Sequence, residues 1–319
     1  MMQLAGAFFR LIRWPNLVFI VLTQLLFYYC ILDIGTMTIP GVSVTYHPVL
    51  QPVLLGWLSL SSVLIAAAGY IINDYFDLNI DRVNKPDKLV VEKIIKRRWS
   101  ILWHWILSGL GFVLSAYVSW KIRNPVIVLA NLGCIVLLWF YSTTFKRKLL
   151  IGNVIISLLT AWVILVLYVC EFKLSSLHDP AYSRVLSRLF KFAILYGGFA
   201  FIISLVREVV KDIEDIDGDI RYGCRTMPIV WGVNVAKVFA ATWLGVLTGA
   251  LVVIQFYVLQ YSWWWVVVYC IFFLIGPLVW IFRKLYTAQS KVDYHRMSSA
   301  IKAVMLAGIL SMIFIRLLP

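Results

Sequence analysis

The sequence predicts an all-α, polytopic membrane protein with nine transmembrane helices in one bundle, and three observations carry that prediction. Of the 319 residues, 62% are hydrophobic and only 14% charged, a balance that belongs to bilayer-spanning chains and not to soluble domains. Apolar runs of spanning length fall near 14–32, 51–72, 99–120, 125–145, 150–170, 189–210, 236–258, 263–283 and 299–317. Cations are sorted along the chain. With the N-terminus in the cytoplasm, only Lys121, Arg123, Lys173, Arg184, Arg188, Lys191 and Arg316 of the 29 Lys and Arg lie outside.

That sorting accounts for most of the net charge of +14 as topology, with attraction to anionic lipid or substrate second. Nucleic acid is not needed to explain it. Cys30, Cys134, Cys170, Cys224 and Cys270 stand singly, as small apolar fillers and not as disulfides or metal ligands. His47, His104, His178 and His295 are equally dispersed, which argues against a zinc site.

Taken in order, residues 1–13 read as a short amphipathic helix lying on the membrane. Trp14-Pro15-Asn16 opens the first span, which lacks a small-residue cleavage site and is expected to be retained. The external loop 33–50, with Pro40, Gly41 and Pro48, is expected to be irregular. The second span delivers Asn73-Asp74-Tyr75-Phe76-Asp77-Leu78-Asn79-Ile80-Asp81 to the cytoplasmic side. Arg82, Lys85 and Lys88 follow within the same loop, and Lys93, Lys96, Arg97 and Arg98 beyond it serve as topological anchors. The fourth span ends in a tight turn with Lys146-Arg147-Lys148, and loop 171–188 carries mixed charge without recognisable chemistry. The sixth span leads into Arg207-Glu208-Val209-Val210-Lys211-Asp212-Ile213-Glu214-Asp215-Ile216-Asp217-Gly218-Asp219. Trp263-Trp264-Trp265 marks an interfacial aromatic belt, and Pro277 is expected to kink the eighth span.

Eleven of the fifteen acidic residues lie between Asp74 and Glu92 or between Glu208 and Asp219. Continued as helix, Asn73, Asp77 and Asp81 recur every four residues and share a face. Glu208, Asp212, Asp215 and Asp219 follow a 4-3-4 spacing along another stripe, although Gly218 weakens the helix there. Carboxylates stacked in this way repel one another unless a cation sits on them. Mg²⁺ suits such a row, since it takes oxygen ligands and keeps positions open for phosphate. The clusters end the second and sixth spans, four helices apart. That suggests four-helix halves at about 14–145 and 150–283 facing one another, with 299–317 added as a ninth helix. Two facing rows would make an acidic pocket at the cytoplasmic mouth, beside an apolar interior fit for a hydrocarbon tail.

Asn73-(x3)-Asp77-(x3)-Asp81, paired with Asp215-(x3)-Asp219 after nine-span topology, resembles the UbiA superfamily of intramembrane prenyltransferases over nearly the whole chain. The resemblance implies an isoprenyl diphosphate donor held through Mg²⁺ by Asn73, Asp77, Asp81, Asp215 and Asp219, with Asp212 and Glu208 as secondary ligands. It also implies that Asp77, Asp81, Asp215, Asp219 and Lys146 carry the catalysis. Asn73, Asp74, Lys88, Tyr141, Lys211 and Arg225 are then expected on the donor diphosphate or acceptor phosphate. One departure stands out: Leu89-Val90-Val91-Glu92-Lys93 replaces the family's Pro-Ile-Pro-Ser-Gly-like continuation.

The segment from Glu208 to Asp219 looks most like the branch that prenylates geranylgeranylglyceryl phosphate, with geranylgeranyl diphosphate as donor. An aromatic acceptor of a quinone, haem or chlorophyll-type pathway is the alternative within the class. Outside it stands a transporter or channel using the acidic mouths as cation sites. No acidic residue lies deep in a span to form a relay, which weighs against transport. A regulatory Ca²⁺ site is weaker still, since no Asp-x-Asp-x-Asp-Gly loop occurs.

Overall fold

A computed structural model of the chain describes residues 2–33, 36–39, 42–86, 89–173 and 178–317. Within a bilayer, backbone amides and carbonyls must be satisfied internally, so apolar runs fold as helices. Among the described residues, nine helices are long and apolar enough to cross a membrane, one for each expected run. Helix α1 (Met2–Leu11) precedes them, as its amphipathic pattern predicts, and α2 (Trp14–Phe27) continues as a π-turn over Tyr28–Leu32. The long central helices are α3 (Pro52–Asn84), α4 (Arg97–Ile122), α5 (Pro125–Thr143), α6 (Ile151–Glu171) and α7 (Pro180–Glu214). Short α8 (Ile216–Arg221) and α9 (Met227–Val230) lead to α10 (Val233–Leu259), α11 (Trp264–Cys270), α12 (Gly276–Thr287), α13 (Lys291–Leu310) and α14 (Met312–Arg316).

The structure refines the sequence reading in three places. The apolar runs 51–72 and 189–210 continue as helix through Asn84 and Glu214, the continuation that a shared face for each acidic row requires. Hydropathy measures how much helix lies in lipid, whereas the helix itself continues into water wherever hydrogen bonding allows. The external loop is not wholly irregular: β1 (Thr36–Ile39) and β2 (Val42–Thr45) pair antiparallel, from Thr36 opposite Thr45 to Ile39 opposite Val42. At Pro277 the chain inserts a π-turn over Ile271–Ile275, closed by the Gly276 amide donating to the Ile271 carbonyl. The wider turn relieves the clash that a proline ring makes with the preceding helical turn. A Cβ on Gly276 would sit 3.0 Å from that carbonyl oxygen, so glycine suits the position.

The chain separates into two compact units. The first comprises Met1–Phe145 with Trp162–Ile194, the second Lys146–Ala161 with Leu195–Pro319. This cut passes through α6 and α7, and so differs from the 14–145 and 150–283 division drawn from the sequence.

In the first unit α3 is the central element. It approaches α4 closely at Gly111, where a Cβ would come within 2.7 Å of the Ile65 side chain. Ser61 Oγ donates to the Gly111 carbonyl there at 2.7 Å. Small residues let helices pack by contact and hydrogen bond where lipid supplies no hydrophobic drive. Buried polar groups cross-link the remaining helices: Asn131 Nδ2 donates to Ser115 Oγ, and Trp162 Nε1 to Asn131 Oδ1. Away from the acidic row, the fully buried Glu171 accepts from Tyr46 Oη and from the amides of Val49 and Leu50. Burial, and then the Glu171 charge, push the Tyr46 phenol pKa up.

The second unit packs α7, α10, α12 and α13 around Val206, Val209, Val210, Leu244, Leu278 and Ile301. A capping box starts α13, with Ser290 Oγ accepting from the Asp293 amide while Asp293 accepts from the Ser290 amide. Trp264 and Trp265, at the turn into α11, are exposed, as a belt residue's would be.

Candidate active site

The first acidic row lies on the last three turns of α3. The helix is unbroken there, so Asn73, Asp77 and Asp81 do share a face. Asn73 and Asp77 are buried, and Asn73 Nδ2 donates to Asp77 Oδ2 at 2.6 Å. That bond turns the amide so that Asn73 Oδ1 is buried without a hydrogen-bond partner. A buried, unsatisfied carbonyl oxygen costs about 1–3 kcal/mol and is explained by something that binds it.

Asp74, three residues before Asp77, is engaged differently. Arg13 Nη2 lies 2.7 Å from Asp74 Oδ1, and the guanidinium also sits over the Tyr70 ring at 5.2 Å. The Asp74 charge outweighs the cost of burial and pushes the Arg13 pKa further up, so this cation is permanent. Arg13 is the second of the two residues between α1 and α2, in the left-handed region at φ 52°. Nothing in the sequence pattern singled it out.

The departure from the family pattern after this row also has a structural role. Val90, Val91 and Ile95 are buried with Ala7, Leu11 and Ile12 in one apolar cluster beneath α1. The turn between them is closed by the Glu92 amide donating to the Ile95 carbonyl at 2.8 Å. Lys88, expected on the donor phosphate, lies outside the described residues. Tyr141 sits in the last turn of α5, and Lys146 in a 3₁₀ turn over Phe145–Arg147.

The second row, in the other unit, is less regular. Helix α7 ends at Glu214, Asp215 turns the chain, and α8 begins at Ile216, so the weakness expected at Gly218 appears three residues earlier. Helical register nonetheless carries over, since the Asp215 amide bonds to the Lys211 carbonyl and the Asp219 amide to the Asp215 carbonyl. Glu208 pairs with Arg207 at 3.0 Å and with Lys211 at 3.1 Å, so Lys211, expected on a phosphate, is held by a carboxylate. Asp212 accepts from Asn153 Nδ2 at 2.8 Å, an α6 residue the sequence gave no reason to select. Glu214 pairs with His295 at 2.8 Å. The exposed Arg225 is tied by its amide to the Arg147 carbonyl, which links the tail of this motif to the 3₁₀ turn of Lys146.

Among the described residues, no three His, Cys, Asp or Glu side chains gather closely enough to hold a metal ion. Asp74, Glu208, Asp212 and Glu214 each face a cation, an amide or an imidazole. The first row offers the Asp77 and Asp81 carboxylates and the unsatisfied Asn73 amide oxygen as candidate donors. All are hard oxygen ligands and few enough to leave room for water and phosphate, which fits Mg²⁺ and not a soft metal.

Among the described residues, nine helices long and apolar enough to cross a membrane, with oxygen-bearing rows closing the second and sixth, place the chain in the class of multi-pass membrane proteins. The chain belongs to the UbiA prenyltransferase family, whose pattern matches residues 35–307, and it is accordingly a prenyl-transferring enzyme of multi-pass topology. Digeranylgeranylglyceryl phosphate synthase of Methanosphaera stadtmanae is 27% identical over 267 residues, 83% of this chain and 88% of that one. The enzyme of the same name from Pyrococcus abyssi is 32% identical over 219 residues, 69% of this chain and 71% of that one. A solved structure of digeranylgeranylglyceryl phosphate synthase in membranes shares the fold at a TM-score of 0.63, with 22% identity over 98% of this chain and 99% of that one. A UbiA homolog from Archaeoglobus fulgidus, bound to GPP and Mg²⁺, gives a TM-score of 0.55 at 15% identity, over 96% and 99%. At such identities the two structures speak for the fold alone.

Proposed function

We propose that the protein transfers a geranylgeranyl group from geranylgeranyl diphosphate to the hydroxyl of geranylgeranylglyceryl phosphate, releasing diphosphate and forming an ether bond. The observation that carries the reading is the first row, where Asn73 presents an unsatisfied buried oxygen beside Asp77. The names of the relatives from Methanosphaera stadtmanae and Pyrococcus abyssi support the acceptor. The homolog bound to GPP and Mg²⁺ supports the metal and the class of donor.

Asn73, Asp77 and Asp81 on the first row would hold Mg²⁺, and Asp215 and Asp219 would serve as metal ligands on the second; the metal would supply positive charge to a diphosphate as it leaves an allylic carbon. The chain's own residues do the rest. Lys88 and Tyr141 in the first unit, and Lys146 and Arg225 in the second, are the proposed hydrogen-bond donors to donor or acceptor phosphate oxygens. The apolar spans keep water from the allylic cation. An aspartate of the second row takes the acceptor hydroxyl's proton as the C–O bond forms. Lys211 and Arg207, already gathered around Glu208, would bind the acceptor phosphate by exchanging partners. The active site faces the cytoplasm, as the distribution of Lys and Arg suggests.

The test is product formation by detergent-purified protein with Mg²⁺ and labelled geranylgeranyl diphosphate. Geranylgeranylglyceryl phosphate, 4-hydroxybenzoate and dihydroxynaphthoate would be offered separately. An ether-lipid product lost with EDTA, Asp77→Asn or Asp215→Asn is expected. An aromatic product would move the enzyme to another branch, and no metal-dependent turnover by folded protein would overturn the reading.

A further inference from the structure

We infer that Arg13 is a positioning residue of the first row, which keeps the Asp74 carboxylate from competing with Asn73, Asp77 and Asp81 for the divalent cation. The inference rests on the assignment of that row to metal and donor diphosphate.

The geometry of α3 poses the problem. Asp74 precedes Asp77 by three residues and Asp81 by seven, so on an unbroken helix it lies along the edge of the same stripe. Left alone, Asp74 and Asp77 would form a pair of like charges one turn apart, which repel each other and attract a cation between them. A cation drawn to that edge would be pulled from the side of the row where Asn73 offers its buried oxygen. An uncompensated Asp74 carboxylate would also repel an incoming diphosphate.

Arg13 answers this in three ways. Its guanidinium binds Asp74 at 2.7 Å, which cancels the charge and occupies the carboxylate. It spans Tyr70, one turn earlier on the same side of α3, which fixes the cation along the helix edge. Its backbone is set by the bend between α1 and α2, in the left-handed region that non-glycine residues rarely adopt. The side chain thus comes from a second anchored element and not from a flexible loop: Leu11 and Ile12 just before it are buried with Val90, Val91 and Ile95. A permanent cation is required here, which arginine guarantees and histidine would not.

The prediction has an unusual sign. Without Arg13 the substrate-free protein should bind metal more tightly while using its donor less well. Mn²⁺ binding would be followed by electron paramagnetic resonance on detergent-purified protein without substrate, alongside Mg²⁺-dependent transfer kinetics. Arg13→Gln, which keeps a polar stem over Tyr70, should tighten Mn²⁺ binding severalfold and raise the donor KM about tenfold with a smaller change in kcat. Arg13→Ala should do the same where it folds, and Arg13→Lys should restore both values. Adding Asp74→Asn to Arg13→Gln should return both within about threefold of Asp74→Asn alone, since neighbouring groups of opposite effect are coupled. A purely structural role would lower the folded fraction and kcat without tightening Mn²⁺ binding, and that result would overturn the inference. So would a donor KM still raised in the double variant, since Arg13 would then act on the donor itself. Asp77→Asn separates the two levels. If it leaves Mn²⁺ binding and transfer intact, the assignment of the row fails; if it abolishes them while Arg13→Gln changes nothing, only the role of Arg13 fails.

Discussion

The two acidic clusters end equivalent spans but solve the problem of stacked carboxylates in opposite ways. On α3 the helix runs straight through the motif, one carboxylate is neutralised from outside by Arg13, and an amide oxygen is left unsatisfied beside Asp77. At the end of α7 the helix breaks at Asp215, and the carboxylates upstream are met by Arg207, Lys211 and Asn153. A row that keeps an unsatisfied oxygen is built to receive a cation, whereas one laced with lysine and arginine is built to receive an anion or to be held in place. Under the proposed function, this contrast would place the tighter metal contacts on the first cluster and phosphate exchange at the Arg207–Glu208–Lys211 group of the second.

The largest effect expected from this contrast is at Asp77. It is buried and hydrogen-bonded to Asn73, so Asp77→Asn removes a negative charge, that of a proposed metal ligand, at the most enclosed point of the row. Transfer should fall by at least about a hundredfold, the usual loss when a group stabilising developing charge is removed. If Asp215→Asn were far more damaging than Asp77→Asn, the division of labour between the clusters would be reversed. Next comes Asn73→Leu, which removes the unsatisfied oxygen at similar size. It should lower turnover by tens of fold and raise the Mg²⁺ needed for half-maximal rate. Unchanged Mg²⁺ dependence would mean that the amide only orients Asp77.

A smaller change is expected at Asn153. Its Nδ2 donates to Asp212 Oδ2 at 2.8 Å, and both belong to the same unit. Asn153→Leu leaves that carboxylate without the bond, which should cost about tenfold in turnover through misorientation of the second cluster. The donor KM should move less than kcat. Asn153→Asp should do worse than Asn153→Leu, because it places a second negative charge against Asp212.

How far the sequence could be read follows from which forces act locally. Span count and both acidic rows were legible, because hydropathy and a spacing of three or four residues are properties of short windows. The extension of α3 from Ile72 to Asn84 is read from the four-residue spacing of Asn73, Asp77 and Asp81 and not from hydropathy, whose window stops where lipid stops. The partners of the rows were hidden. Arg13 and Asp74 are 61 residues apart, and Asn153 and Asp212 are 59 apart, so only folded packing pairs them. Read alone, Arg13 is one more cytoplasmic cation and Asn153 one more polar residue near a span end. The apolar stretch Leu89-Val90-Val91 read as a departure from a family pattern, and its burial beneath α1 became visible only with α1 in place.

The smallest effect expected is at His295, and it tests whether every pairing in the second cluster counts. His295 Nδ1 lies 2.8 Å from Glu214, but the imidazole side chain is 56% exposed against 8% for the carboxylate. A partner so open to water is screened, and the pair is charged only while the imidazole is protonated. His295→Ala should therefore change transfer by less than about twofold, and the melting temperature in detergent by about 2 °C. Glu214 falls outside the Glu208, Asp212, Asp215 and Asp219 stripe, which agrees with a bystander's role. A tenfold loss of turnover at unchanged stability would show the reverse: Glu214 would need its partner to keep a reactive orientation. The stripe would then have to be redrawn to include it.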